Sequence, residues 1–252
     1  MRVAVAQNPA GLEGTEARLE WLAGVMGGHD LIICPELFAC GYHIGDDLYA
    51  RAEQSGGPAT RAMAELARAH GCAVIYGFAE REGKAIFNAA QCIDAQGEVI
   101  GRHRKLILPP GFEAGHFDCG NDVALFELGG MTLAILICYD FEFPEALRHV
   151  AGRGAELVAV PTALSVEWPV VAEAMTRTRA FENGIYLAYA NAVGAERGMT
   201  HAGLSCIIGP QGEELARAGQ APCVIGAEVS KARVAAAQAR IPFLEARRGL
   251  PF

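Results

Sequence analysis

"MTLAILICYDFEFPEALR", residues 131–148, joins two kinds of chain. Ala134 to Ile137 are apolar without a break, which reads as a buried strand. Cys138 follows, and then Tyr139, Asp140, Glu142, Pro144 and Glu145 bring polarity and charge. From Phe143 onward the pattern reads as a helix. A buried strand that runs into polar residues places them at the carboxyl edge of a sheet, where ligands of open α/β sheets tend to bind. Cys138 is then either a small packed core residue or a nucleophile at a strand end.

Upstream, "VALFEL" and the Gly129-Gly130 turn make a hairpin with this strand. Downstream come a strand in "AELVAVPT", a long helix in "PVVAEAMTRTRAFENG" and a strand in "IYLAYAN". "GLSCIIGPQGEELARAG" reads as a second hairpin turning at Pro210-Gln211-Gly212, and "CVIGAEVS" with a helix in the 230s closes the body. The first half echoes this weakly. "RVAVAQ" and "DLIICPE" are strands around a helix in "TEARLEWLAGVMGG", with Thr15 as N-cap and Gly27 as stop. Residues 58–70 form a helix with Pro58 at its start and Gly71 just past its end. "CAVIYGFAE", "AIFNAAQCID" and "EVIGRHRK" add strands, with a turn at 95–97. Hairpins interrupt the strand–helix alternation, so mixed sheets covered by helices are expected. With no linker or repeat, residues 1–252 read as one domain, and 240–252, "RIPFLEARRGLPF", as a tail that packs on something.

The chain has 252 residues, of which 52% are hydrophobic, and a formal net charge of −8. That balance, with arginines scattered, argues against a nucleic-acid partner. No signal segment opens the sequence, and no apolar stretch approaches a membrane span. The eight cysteines form no C-x-x-C pair, and several lie in apolar runs such as "LIIC" and "LSCIIG". This is the usage of a reduced, cytoplasmic protein.

Three strand endings stand out together. Glu36 follows "LIIC" and Pro35, Lys105 follows "EVIGRHR", and Cys138 follows "LAILI". Each alone has an ordinary explanation: a surface carboxylate, a solvated ammonium, a packed thiol. Lys105, however, is one of three lysines in a chain with eighteen arginines. A site needing one compact ammonium at one oxygen selects Lys over the planar fork of Arg. Base, cation and thiol at three strand ends make a chemical set.

"ICPELFACGY", "HRKLILPPGFEAGHFDCG" and "LICYDFEFPE" resemble the three signature regions of the nitrilase, or carbon–nitrogen hydrolase, superfamily. The resemblance extends through "GAELVAVPTA", "RTRAFENGIYLAYAN" and "GLSCIIGPQGE". It implies an α+β fold, a four-layer αββα sandwich of two mixed sheets, and a Glu-Lys-Cys triad that uses no cofactor and no metal. Glu36 is then the general base, Lys105 the cation, Cys138 the nucleophile, and Glu113 a second carboxylate that many relatives carry beyond the lysine. Tyr139, Glu142, Thr162 and Ala163 fall on the oxyanion and substrate side. The resemblance also implies a homodimer or higher homo-oligomer, through helices beginning near Phe143 and Pro169, with the tail (Ile241, Phe243, Leu244, Leu250, Phe252) across the seam.

The chemistry is coherent. A thiolate is a strong nucleophile toward a poor electrophile such as an amide carbon. Glu36 would take the thiol proton, and Lys105 with the Tyr139 N–H would meet the oxyanion. The implied reaction is hydrolysis of a small linear amide to acid and ammonia through a thioester. Relatives acting on carboxylate-bearing substrates often place Arg four residues after the cysteine, where this chain has Glu142. Glu142 would attract a cationic substrate, or else cap the following helix or pair with an Arg such as Arg179. "CPELFACGYHIG" and "CYDFEFPE" resemble most the 5-aminopentanamidases, although the loop after Lys105 departs from that pattern. The other readings are a broad aliphatic or stereoselective amino-acid amidase, a nitrilase, and a non-catalytic scaffold. His103 and His116, nearest Lys105 in sequence, are expected at the pocket mouth.

Overall fold

A computed structural model of the chain describes residues 1–45 and 47–251. Phe252, the last residue assigned to the apolar tail, lies outside the described residues. The first half lays down β1 (Arg2–Gln7), β2 (Leu31–Ile33), β3 (Ala73–Glu82), β4 (Ala85–Ile93) and β5 (Val99–Arg104). The second half lays down β6 (Leu125–Leu128), β7 (Met131–Ile135), β8 (Leu157–Thr162) and β9 (Tyr186–Asn191). A ribbon of β10 (Val193–Glu196) and β11 (Met199–Ala202) follows, then β12 (Cys206–Ile208), β13 (Glu214–Arg217) and β14 (Cys223–Glu228). One sheet runs β14-β1-β2-β3-β4-β5 and the other β13-β12-β9-β8-β7-β6. In each, a parallel centre (β1-β2-β3; β7-β8-β9) is edged by antiparallel strands. This is the expected pair of mixed sheets.

Alternation along the strands builds the layers. Val3, Val5, Leu31 and Ile33 face the second sheet and meet Leu133, Ile135, Leu157 and Ala159. Ala4, Ala6, Ile32 and Cys34 face outward, under the helices Gly14–Ala23 and Pro58–His70. Ala134, Leu136, Val158 and Val160 face outward from the second sheet, under the helices Pro144–Gly152 and Thr176–Asn183. Strands buried on both faces must be apolar at every position, which is why "LAILI" and "LVAV" lack alternation. The outcome is the αββα sandwich.

Some local expectations change. Thr15 is not an N-cap: the helix begins at Gly14, and the Thr15 hydroxyl donates to the Ala39 carbonyl at 2.9 Å. That helix ends at Ala23, short of Gly27. The long helix after Pro169 opens with a π-helical turn, Val171–Met175, before Thr176–Asn183. The β10–β11 ribbon was not anticipated. Its turn residues Arg197 and Gly198 both have positive φ, 45° and 86°, the requirement of a tight hairpin usually signalled by Asn-Gly or Asp-Gly. The tail forms a short turn, Phe243–Ala246, and the Phe243 ring lies edge-on to Phe181 at 5.4 Å.

Candidate active site

Beyond Ile33 the chain keeps to the side of β3. The Cys34 N–H donates to Ile75 O at 2.7 Å and the Gly77 N–H donates to Pro35 O at 3.3 Å. Gly77 is required for this approach, because a Cβ there would sit 2.3 Å from Leu37 N and 2.9 Å from Glu36 Cα. Leu37 then takes a φ of 50°, and Glu36 is turned inward to 4% exposure. Lys105 leaves β5 fully buried. Its N–H donates to Asn88 O at 2.8 Å and its carbonyl accepts from Gly120 N at 2.7 Å. Glu113 comes in from the short helix Phe112–His116.

Cys138 sits on a strained elbow with φ 43° and ψ −103°, just before the turn Tyr139–Glu142. Positive φ at a non-glycine residue is stored strain that the surroundings must over-determine. Two contacts do so here. The Cys138 N–H donates to Pro161 O at 2.9 Å. Asp140 then accepts from the Ile137 N–H at 3.2 Å, from the Leu106 and Ile107 N–H groups at 2.9 and 3.0 Å, and sits 2.8 Å from His103 Nε2. One buried carboxylate thus ties the thiol elbow to the chain just past Lys105.

The charged groups converge. Lys105 Nζ donates to Glu36 Oε1 at 2.7 Å and to both Glu113 oxygens at 2.7 Å. Asn88 Nδ2 donates to Glu36 Oε1 at 2.6 Å and to Glu113 Oε2 at 3.0 Å. The Tyr42 hydroxyl donates to Glu113 Oε1 at 2.7 Å. Burial raises Glu36 to about 7, with the Glu113 charge adding and Lys105 and Asn88 opposing. Burial alone would depress the Lys105 ammonium, but Glu36, Cys138 and Glu113 outweigh it and keep it charged. Burial also pushes the Cys138 thiol well up, helped by the Glu36 and Glu113 charges. Lys105 and the Ala163 backbone N–H pull the other way.

Cys138 and Glu113 open on a cavity of about 450 Å3. Its wall is aromatic and apolar (Tyr42, Phe112, Tyr139, Leu164, Trp168, Met199), with Glu142, His43 and Ser165 as its other polar side chains. Ala163 lines it. Thr162 is fully buried and gives its carbonyl to the Glu36 N–H at 3.3 Å. Arg179 does meet Glu142, but through the Glu142 main-chain carbonyl at 2.9 Å, while the guanidinium pairs with Glu182 at 3.3 Å. The Glu142 carboxylate is left on the cavity wall, its pKa raised by burial against the pull of Lys105. The expected histidines are not at the mouth. His103 is buried on Asp140, and His116 Nδ1 turns back to Phe112 O at 2.7 Å. His43 takes that place, stacked on Tyr42 at 5.3 Å. Among the described residues no group of three His, Cys, Asp or Glu is arranged to hold a metal.

The Carbon-nitrogen hydrolase family profile matches residues 2–239. The chain belongs to the carbon–nitrogen hydrolase family. A "Hydrolase in pqqF 5'region" from Pseudomonas protegens is 40% identical, covering 98% of this chain and 89% of that protein. An (R)-stereoselective amidase from a Pseudomonas species is 30% identical over 91% of this chain and 84% of its own length. Among solved structures, an amidase of the nitrilase superfamily from Nesterenkonia AN1 superposes with a TM-score of 0.86 at 32% identity, covering 98% of this chain and 97% of that one. Mutants of that amidase have been captured with acrylamide or an acetamide moiety added covalently to the active-site cysteine. This carbon–nitrogen hydrolase therefore shares its fold with an amidase whose cysteine is reactive.

Among the residues that escaped the sequence reading are Gly77, Asn88, Asp140 as an anchor, and Tyr42. Asn88 had a signal, an amide inside the apolar run "AIFNAAQC", since a fully buried polar side chain is there to make bonds. Gly77→Ala should push Glu36 off Lys105 and lower amide turnover at least tenfold. A thermal melt alongside ammonia release checks that the protein still folds, and native turnover in a folded variant would show that Glu36 needs no such fixed approach.

Proposed function

We propose that the protein hydrolyses a small linear primary amide to the carboxylic acid and ammonia through a thioester on Cys138. The observation that carries this reading is the fully buried Lys105 ammonium, clasped by Glu36 and Glu113 beside a thiol that opens on an apolar cavity. The ionised Glu36 takes the thiol proton as sulfur attacks the carbonyl carbon. The oxyanion forms between the Tyr139 N–H and Lys105. The ammonium nitrogen already has three carboxylate oxygens at 2.7 Å, so Lys105 meets the oxyanion by giving up one of its two contacts with Glu113. Glu36 returns its proton to the departing ammonia. It then activates the water that cleaves the thioester. Among the described residues lining the cavity Cys138 is the one thiol, and Cys34, Cys40, Cys72, Cys92 and Cys206 are buried elsewhere.

The cavity wall indicates the class of amide. Among its described residues there is no lysine or arginine, and its carboxylates are Glu113, engaged on Lys105, and Glu142. That disfavours an anionic substrate such as the 2-oxoglutaramate acted on by an amidase from Bacillus subtilis, 29% identical over 86% of this chain. It favours a distal ammonium on an alkyl chain, as in 5-aminopentanamide. The apolar wall also accommodates neutral aliphatic amides, and the likeness to a stereoselective amidase supports a broader range. A partly desolvated ion pair contributes about 1–3 kcal/mol, roughly one to two orders of magnitude in specificity. Ammonia release should rank 5-aminopentanamide above pentanamide and far above a carboxylate-bearing amide of equal length. Glu142→Gln should bring the first two together. Equal kcat/KM for those two in the wild type would leave the broad aliphatic amidase as the function.

The base also sets a pH dependence. Glu36 works only when ionised, and burial raises it to about 7, so kcat/KM for a neutral amide should fall tenfold per unit as pH drops below neutrality. An acid limb near the ordinary carboxylate range of about 4 would show that the Lys105 charge outweighs burial.

We also propose that the chain self-associates. Phe181, Ile241 and Leu250 are 40%, 41% and 52% exposed on the tail and on the helix whose Phe181 meets the tail's Phe243, and a contiguous apolar surface of that kind is uncommon on monomers. Light scattering at micromolar concentration should give at least a dimer mass, and a monomer mass would refute this.

A further inference from the structure

Asn88 lies in β4, fully buried, where apolar neighbours would otherwise fill the strand. Its side chain touches both carboxylates of the cluster. Its Nδ2 spends one proton on Glu36 Oε1 at 2.6 Å and the other on Glu113 Oε2 at 3.0 Å, while its main-chain carbonyl accepts from the Lys105 main-chain N–H at 2.8 Å. Glu36 Oε1 also accepts from Lys105 Nζ at 2.7 Å. Two donors therefore occupy Oε1. Oε2, equally buried, has no partner among the described residues.

Resting on the reading of Glu36 as the base, we propose that Asn88 is a positioning residue that selects Oε2 of Glu36 as the oxygen that takes and returns protons, and keeps Glu36 and Glu113 from sharing one. The geometry carries both parts. An oxygen already accepting two strong bonds has little left for a proton, so transfer runs through the other. The two N–H bonds of one amide nitrogen diverge in a plane, so the two carboxylates they hold are kept apart. Without that spacer, neighbouring carboxylates tend to hold one proton in common. A shared proton would leave Glu36 unable to accept the one on Cys138.

Asn88 also acts on proton affinity. Glu36 is faced by Lys105 from the end of β5, by Glu113 from the helix Phe112–His116, by Cys138 from its elbow, and by Asn88 from β4. Burial and Glu113 oppose ionisation of Glu36, whereas Lys105 and Asn88 favour it. Asn88 is the neutral donor of that set, so replacing it changes the bonding of Glu36 without adding a charge. A hydrogen bond to the ionised form favours that form, so its loss raises the pH at which Glu36 becomes a base.

The test is the pH profile of kcat/KM for propanamide in the full chain, with Asn88→Ala and Asn88→Ser, each checked by thermal melt and circular dichroism. Iodoacetamide alkylation of Cys138 is followed over the same pH range. Asn88→Ala should move the acid limb of both profiles up by about one pH unit and lower plateau kcat about 10- to 100-fold, with KM within about twofold of native. Asn88→Ser, smaller and keeping one donor, should fall between the two, and it carries the test if the Ala variant does not fold. A folded variant whose acid limb coincides with the native one, whatever its kcat, overturns the proposal and makes Asn88 a structural filler. A native protein that releases no ammonia and is not alkylated first at Cys138 defeats the base assignment itself, a separately visible result.

Discussion

An ammonium with no access to water sits at the centre of this molecule, and much of the site is arranged to keep it charged. Bringing an ion of this size out of water costs several kcal/mol even after relaxation, and only well-made partners recover it. Lys105 has them in Glu36 and Glu113. Each carboxylate in turn needs donors, which Asn88 and Tyr42 supply. Deleting Lys105 would strand two buried carboxylates with no counter-charge. An Arg could not take the place, because its planar fork would have to fit where a compact group meets three oxygens at 2.7 Å.

The sandwich supplies the rigidity this demands. Glu36 and Lys105 come from one sheet and Cys138 from the other, so the two sheets must meet in a fixed register. Their facing layers of Val, Ile, Leu and Ala set that distance. Near the site, hydrogen bonds complete the join. Thr162 O holds the Glu36 N–H and Pro161 O holds the Cys138 N–H, so the end of β8 grips both strand ends at once. Asp140 closes the third side, between the elbow and the chain beyond Lys105. Repacking the inter-sheet layer and moving the reactive groups are therefore the same event.

What was legible in the sequence follows from this. The doubly buried strands announced themselves as unbroken apolar runs, and the reactive residues as abrupt departures at their ends. The two sheets could be anticipated from those features and the resemblance, and the same signals named Glu36, Lys105 and Glu113, which the fold brings into contact. What was hidden depended on approach between distant segments. His103 looked like a pocket residue because it stands two places from Lys105 and shares its buried side, but its ring is taken up by Asp140 instead of the cavity. Glu142 looked equally able to pair with Arg179, and only the fold shows the guanidinium taking the main-chain carbonyl and leaving the carboxylate on the cavity. Gly77 carries no sequence signal at all, since its reason is the backbone of Glu36 passing against it.

The balance of charge also constrains how the proposed reaction begins. With Glu36 ionised, the buried cluster of one ammonium and two carboxylates carries a net negative charge next to Cys138. Burial and those carboxylates hold the thiol well above its ordinary pKa. A resting thiolate, of the kind a neighbouring cation sustains in cysteine–histidine enzymes, is opposed here. Sulfur must lose its proton as it attacks, when the negative charge passes on to the substrate oxygen and away from the carboxylates. Glu36 raised to about 7 is matched to that step, because it is about half ionised at neutral pH yet basic enough to draw a proton from a reluctant thiol. The same property suits it to give the proton up again to the leaving ammonia. The burial that disfavours a thiolate thus suits Glu36 to the proposed role of base.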